Sequence, residues 1–278
     1  MKLLNFKVAD ELRLGIKTAQ GIIDASQIAT LDDVIANEEI LGELEQFAAE
    51  NPAVIPEDKV TYAPCVTQPE KILCVGLNYL SHREETDMVA VPDFPVLFSK
   101  FNNALASHKQ VIKLPSTAEK IDYEAELVIV IGKEAKNIAP EEALAYVFGY
   151  TIGNDLSARD LQLRTSQWLI GKTLDHFAPI GPYLVTADEI DPQNLAITCT
   201  VNGEIRQSAS TNAMIFDCAT IVSYLSHLMT LKPGDIIFTG TPSGVILGYP
   251  EDKQIWLQAG DQVEVTIEKL GSLSNRFE

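Results

Sequence analysis

The segment Asp122-Tyr123-Glu124-Ala125-Glu126 runs directly into Leu127-Val128-Ile129-Val130-Ile131 and stops at Gly132. The apolar, β-branched run predicts a buried strand. Strand side chains alternate between faces, so Glu124 and Glu126 point the same way at its mouth. Two carboxylates fixed side by side repel each other; they are tolerated when a cation sits between them or when one keeps a proton. A third acid, Asp155, ends another apolar run, Tyr150-Thr151-Ile152-Gly153-Asn154. Three hard oxygen ligands with no cysteine nearby suit Mg²⁺, Mn²⁺ or Ca²⁺ better than zinc. Spacing alone fits acids at solvated strand ends equally well.

The formal charge of −18, from 39 acids against 21 bases, repels phosphate backbones and anionic lipid. It argues against a nucleic-acid or membrane partner. An anionic substrate would need local positive charge from a metal or from placed Lys and Arg. No run approaches the length of a membrane span. The start, Met1 to Phe6 followed by Asp10 and Glu11, does not read as a signal peptide. Cys65, Cys74, Cys199 and Cys218 are scattered without a C-x-x-C pair. They read as free thiols in a reducing cytoplasm.

The chain divides into a small N-terminal α+β unit, residues 1–66, and a larger β-rich unit, residues 67–278. In the first, short strands are expected at Lys2-Phe6, Leu12-Lys17 and Gly21-Ile23. One acidic helix is expected from near Leu31 towards Glu50, ended by Asn51-Pro52. Tyr62 to Pro69 reads as a linker. Beyond it, Ile72-Gly76 is a buried strand and Asn202-Gly203 a hairpin turn. Pro233-Gly234-Asp235 is a turn feeding Ile236-Gly240, and Asp261 to Glu268 alternates as a half-buried strand. The strands do not alternate with long helices, which argues against a doubly wound sheet. The expected class is mixed α/β and β-rich.

Three further segments carry chemistry. In Gly76 to Glu85, His82 and Glu85 are three apart and become neighbours on a helix, where a carboxylate-oriented His serves as a general base. Without other evidence, the same pair is more often a surface ion pair. Ser81 and Glu84 match a capping box, and Thr86 to Pro95 reads as a loop suited to act as a lid. In Trp168 to Pro182, Lys172 lies in an apolar, Gly- and Pro-punctuated stretch. Aimed at three acids it would keep its charge and meet a carboxylate or enolate; otherwise it is a surface lysine. Phe238 to Val245 forms a tight turn able to present N–H groups to an anion, although it lacks the order of a phosphate loop.

Taken together, the ordered set resembles the fumarylacetoacetate hydrolase family over roughly Lys71 to Phe277. The set comprises Asn78-Tyr79 with His82, Asp122 to Leu127, Asn154-Asp155-Leu156-Ser157-Ala158-Arg159-Asp160, and Gly171-Lys172 to Gly181-Pro182. It continues with Val201-Asn202-Gly203-Glu204 and with Leu231 to Asp235 running into Thr239 to Val245. The resemblance implies a mixed β-sandwich roll core, a divalent metal and a homodimer. It implies Glu124, Glu126 and Asp155 as ligands of Mg²⁺ or Mn²⁺, and His82 with Glu85 as a water-activating pair on a lid. It further implies substrate contacts from Lys172 and Thr241, with Arg159 and Gln162 close by. Two positions depart from the common pattern: Leu77 stands where many members carry arginine, and Phe101 follows Lys100 where many have proline.

The expected activity is therefore hydrolysis of a carbon–carbon bond in an acylpyruvate or fumarylacetoacetate-type keto acid, a small-molecule substrate. Water activated by His82 and Glu85 would attack the distal carbonyl, and Lys172 would stabilise the departing enolate. The alternative is an oxaloacetate decarboxylase, or a related keto-acid isomerase, on the same site.

Overall fold

The computed structural model describes residues 1–86 and 93–278. The Ala125–Ile131 strand is buried along its whole length. It lies near the middle of a large mixed sheet, between Val147–Asn154 on one side and Ile236–Phe238 on the other. Its alternation feeds two cores. Leu127, Ile129 and Ile131 join the core that holds Ile197, Val263 and Val265; Val128 and Val130 join the core that holds Leu31, Val34 and Leu44. A run apolar at every position is what a strand covered on both faces requires.

From Val147–Asn154 the sheet continues through Ala178–Thr186 to Lys2–Val8, Glu11–Lys17 and Ile22–Asp24. From Ile236–Phe238 it passes to a parallel neighbour, Ile72–Gly76, and ends at Val96–Lys100. A separate four-stranded antiparallel sheet, Glu204–Ser210, Ala196–Val201, Gln262–Ile267 and Gly271–Arg276, covers one face. Its first hairpin turns at Asn202-Gly203, both with positive φ. The fold is thus β-rich and mixed, with few and short helices.

Two expectations for the first 66 residues are corrected. The single acidic helix is two helices, Leu31–Ala36 and Ile40–Glu50. Asn37 caps the first in an extended conformation; Leu31, Val34, Ile35 and Leu44 are buried in the core, and Ile40, Leu41, Phe47 and Ala48 pack against it half-buried. The stretch read as a linker starts as a strand, Thr61–Ala63, paired with Lys2–Val8, and Tyr62, Ala63, Cys65 and Val66 are buried. The apolar side chains in it are packed rather than solvated. All four cysteines are free and buried. Among the described residues no helix is long and apolar enough to cross a membrane.

Candidate active site

Strand register assembles the acids. Gly153 pairs with Glu126 and Asn154 with Ala125, so Asp155 is delivered beside Glu124. The Asp155 amide donates to Glu124 O at 2.9 Å, and the Glu124 amide to Asn154 Oδ1 at 3.0 Å. On the opposite side, the chain leaving Ile236–Phe238 brings the Gly240 amide to Glu126 Oε2 at 2.7 Å. One oxygen from each of Glu124, Glu126 and Asp155 lies within 4.8 Å of the others, and all three residues are buried.

Three cations close around them. Lys172 ends the short Leu169–Lys172 helix. That helix lies tight against Arg159–Gln162, since a Cβ on Gly171 would stand 2.4 Å from Gln162 N. Lys172 Nζ donates to Glu124 Oε2 at 2.7 Å and Asp155 Oδ2 at 2.8 Å. Arg159 bridges Glu124 Oε1 and Asp122 Oδ2, each at 2.8 Å, and donates to Gln162 Oε1 at 2.9 Å. Lys100 Nζ lies 2.5 Å from Asp155 Oδ1 and donates to the carbonyls of Leu156, Lys172 and Phe177.

The charges settle unequally. Burial opposes ionisation of Glu124, but Lys172, Arg159 and His82 outweigh it and hold the carboxyl below its usual range. For Glu126, burial acts together with the charges of Asp155 and Glu124, and its pKa is pushed well above the ordinary value. Burial works against the Lys172 charge, yet Asp155 and Glu124 raise its pKa; at Lys100 burial prevails and lowers it. Four acids, counting Asp122, thus meet three basic side chains.

That surplus of acid fits a divalent cation. The donors are carboxylate oxygens, the set preferred by Mg²⁺, Mn²⁺ and Ca²⁺. Buried Asp155 Oδ1 has no hydrogen-bond partner and meets Lys100 Nζ as an ion pair. Glu124, Glu126 and Asp155 are the residues that would hold such an ion.

His82 and Glu85 share the Leu80–Glu85 helix, and His82 Nδ1 meets Glu85 Oε1 at 2.7 Å. The capping box is absent: Tyr79 is the N-cap, it makes no side-chain cap bond, and Ser81 sits inside the helix. The loop expected from Thr86 to Pro95 falls mostly on residues 87–92, outside the described residues. A cavity of about 50 Å³ is lined by His82, Glu124, Glu126, Arg159, Gln162, Lys172 and Thr241. Its remaining wall is largely apolar, with Leu77, Phe98, Leu163, Trp168 and Leu247. Of the nine residues singled out from sequence, seven therefore line one cavity. Glu85 is bonded to His82, and Asp155 to Lys172. Of the two departures, Leu77 is on the wall, held at φ 59°, whereas Phe101 is exposed.

Sequence reasoning missed Lys100, Asp122 and Gln207 as working parts. Asp122 accepts from Arg159 and from the amides of Ile246 and Leu247. Gln207 donates to Thr241 Oγ1 at 2.8 Å and accepts from Ala125 N at 3.0 Å. Asp122 carried a signal, as the acid heading the Glu124/Glu126 segment; Gln207, in a hairpin strand, carried none.

A family model for the fumarylacetoacetate (FAA) hydrolase C-terminal region matches residues 71–278. The chain belongs to the fumarylacetoacetate hydrolase family. It is 52% identical over 220 residues to a fumarylacetoacetate hydrolase domain-containing protein 2 homolog of Dictyostelium discoideum, covering 75% of this chain and 71% of that one. It is 46% identical over 232 residues to a mitochondrial oxaloacetate tautomerase of Rattus norvegicus, covering 83% and 73%. A solved maleylpyruvate hydrolase from Sphingobium sp. SYK-6, in complex with manganese(II) and pyruvate, superposes with a TM-score of 0.84. It is 29% identical, with 100% of this chain and 98% of that chain covered. The proteins it resembles thus include both a tautomerase and a hydrolase.

Proposed function

We propose that this chain is a divalent-metal-dependent enzyme that interconverts the keto and enol forms of a short α-keto acid, with oxaloacetate as its first substrate. The observation that carries the reading is His82, bonded to Glu85 and standing on the wall of the same cavity as Glu124, Glu126 and Lys172. Similarity to oxaloacetate tautomerases supports the choice of substrate. A cation held by Glu124, Glu126 and Asp155 would polarise the α-keto oxygen as a Lewis acid. Glu85 holds the Nδ1 side of the His82 ring, leaving Nε2 to take a proton from the carbon next to the ketone or return it there. Lys172 places a buried positive charge where oxyanion character develops.

The test follows ketonisation of enol-oxaloacetate by absorbance, with pyruvate measured alongside. His82→Ala and Glu85→Ala should each slow tautomerisation by roughly 10²–10⁴-fold, the scale for losing a general base, while Mn²⁺ binding persists. A parent protein that converts oxaloacetate to pyruvate as fast as it consumes the enol is a decarboxylase instead. That reaction needs no base, so His82→Ala would leave it unchanged.

Hydrolysis of an acylpyruvate is the second reading, favoured by the apolar wall formed by Leu77, Phe98, Leu163 and Trp168. Such a wall suits an acyl group better than a second carboxylate. There His82 would deprotonate a water that attacks the distal carbonyl, and the enolate would leave as pyruvate. Release of pyruvate from an acylpyruvate panel faster than enol-oxaloacetate is ketonised would reverse the order of the two readings. The homodimer belongs to the same proposal, and light scattering that reports a monomer at micromolar concentration would remove it. A reducing compartment accords with four buried, unpaired cysteines; the sequence led to the cytoplasm, whereas the oxaloacetate tautomerases of Rattus norvegicus and Homo sapiens are named as mitochondrial.

A further inference from the structure

Glu85 has a second partner. Its Oε1 meets His82, while its Oε2 accepts the Gly244 amide at 2.7 Å. The carboxylate also lies directly against Gly248: a Cβ built there would stand 2.4 Å from Glu85 Cδ, 2.5 Å from Oε2 and 2.6 Å from Cγ. The backbone around Gly248 cannot yield easily. Asp122 accepts the amides of Ile246 and Leu247, Gln254 donates to the carbonyls of Leu247 and Tyr249, and Tyr123 Oη donates to Gly244 O. The element that carries the base is therefore joined, through one carboxylate, to a segment fixed by the same Asp122 that holds Arg159.

We propose that the Gly244 amide and the bare face of Gly248 form a seat that fixes the Glu85 carboxylate against His82, making Gly248 a positioning residue for proton transfer. The inference rests on the reading of His82 as the base. Gly248 does not need glycine for its own conformation, since it is absent from the positive-φ glycines. Gly244 does: its φ is +105° and an added Cβ would meet Arg206 O at 2.0 Å. Gly248→Ala is accordingly the informative change. Its methyl group displaces the Glu85 carboxylate while leaving the backbone conformation allowed.

Gly248→Ala should lower kcat for the keto acid by roughly 10- to 100-fold, the scale of an ångström's misplacement of a reacting group, with KM and Mn²⁺ affinity within about twofold. In a Glu85→Ala background the same change should cost nothing further, because the group it displaces is gone. The low-field imidazole N–H resonance of His82 should be present in the parent and lost in Gly248→Ala, a readout independent of which reaction is catalysed. Equal losses from Gly248→Ala with and without Glu85, or an unaltered His82 resonance, would overturn the seat. If Gly248→Ala does not fold, exchange of the Gly244 amide decides: faster in Glu85→Ala supports the seat, and an unchanged rate removes it. A parent that shows the resonance and its loss but turns over no keto acid would instead sink the functional reading.

Discussion

Lys100 and Lys172 show how differently two lysines of one site disclose themselves. Lys172 sits in an apolar, punctuated stretch, where a lysine stands out from its neighbours. Lys100 ends the Val96–Lys100 strand at the edge of the sheet, where a lysine is ordinarily solvated. Its partner Asp155 is 55 positions away, and no local pattern reports such a pair. Its burial is nonetheless complete, with three carbonyls around the ammonium. Lys100→Met should destabilise metal-free protein by about 3–5 kcal/mol in urea unfolding, because Asp155 loses a buried counter-charge. A loss under about 1 kcal/mol, the value of an exposed pair, would mean that Lys172 alone compensates Asp155. Glu126 behaves oppositely: Glu126→Ala relieves repulsion but would remove one of the three candidate metal ligands. Mn²⁺ affinity, read by electron paramagnetic resonance, should fall by more than the roughly 10- to 100-fold that loss of an outer partner costs. The convergence of Glu124 and Glu126 was readable because it follows from period-two alternation; Asp155 joins them through a strand register that sequence does not display.

Elements differed in the same way. The Ala125–Ile131 and Ile72–Gly76 strands and the Asn202-Gly203 hairpin were readable, since an apolar run and a two-residue turn are local signals. The break between Leu31–Ala36 and Ile40–Glu50 was not, because acidic residues at 38–39 suit helix and helix start equally. Nor was the docking of the turn after Leu105–Ala106 onto the Gly271–Arg276 strand. There His108 Nδ1 accepts the Ser274 amide at 3.0 Å, and Lys109 N donates to Ser274 O. The His108 ring packs edge-on to Tyr62. Burial lowers its pKa to about 4, helped by Lys109 and opposed by Glu57. An unfolded histidine titrates near 6.5, roughly, so between those values the unfolded chain binds more protons. The stability contributed by neutral His108 is present above about pH 6.5 and is lost as pH falls towards 4. Thermal melts should show a steeper acid-side decline in the parent than in His108→Gln. Parallel curves would mean that the Ser274 contact persists with a charged ring.

For the molecule as a whole, a divalent cation held by Glu124, Glu126 and Asp155 would couple folding to metal concentration. A chain with net charge −18 is stabilised to some degree by any salt, because ions screen its self-repulsion. A bound cation acts separately, through mass action on the folded state alone. With Mg²⁺ or Mn²⁺ at about a hundredfold excess over Kd, the parent should gain about 2.7 kcal/mol, read as a rise in Tm over protein dialysed against chelator. Sodium chloride at matched ionic strength gives the screening contribution by itself and should raise Tm less. Glu126→Gln keeps the shape but removes one ligand charge, so its response to Mg²⁺ should collapse to the sodium chloride response. The same substitution also removes a carboxyl whose ionisation burial, Asp155 and Glu124 all oppose, and metal-free Glu126→Gln should melt no lower than the metal-free parent. Equal shifts from Mg²⁺ and sodium chloride in the parent would mean that Glu124, Glu126 and Asp155 hold no cation. The surplus of acid would then be a cost that Lys100, Arg159 and Lys172 offset alone.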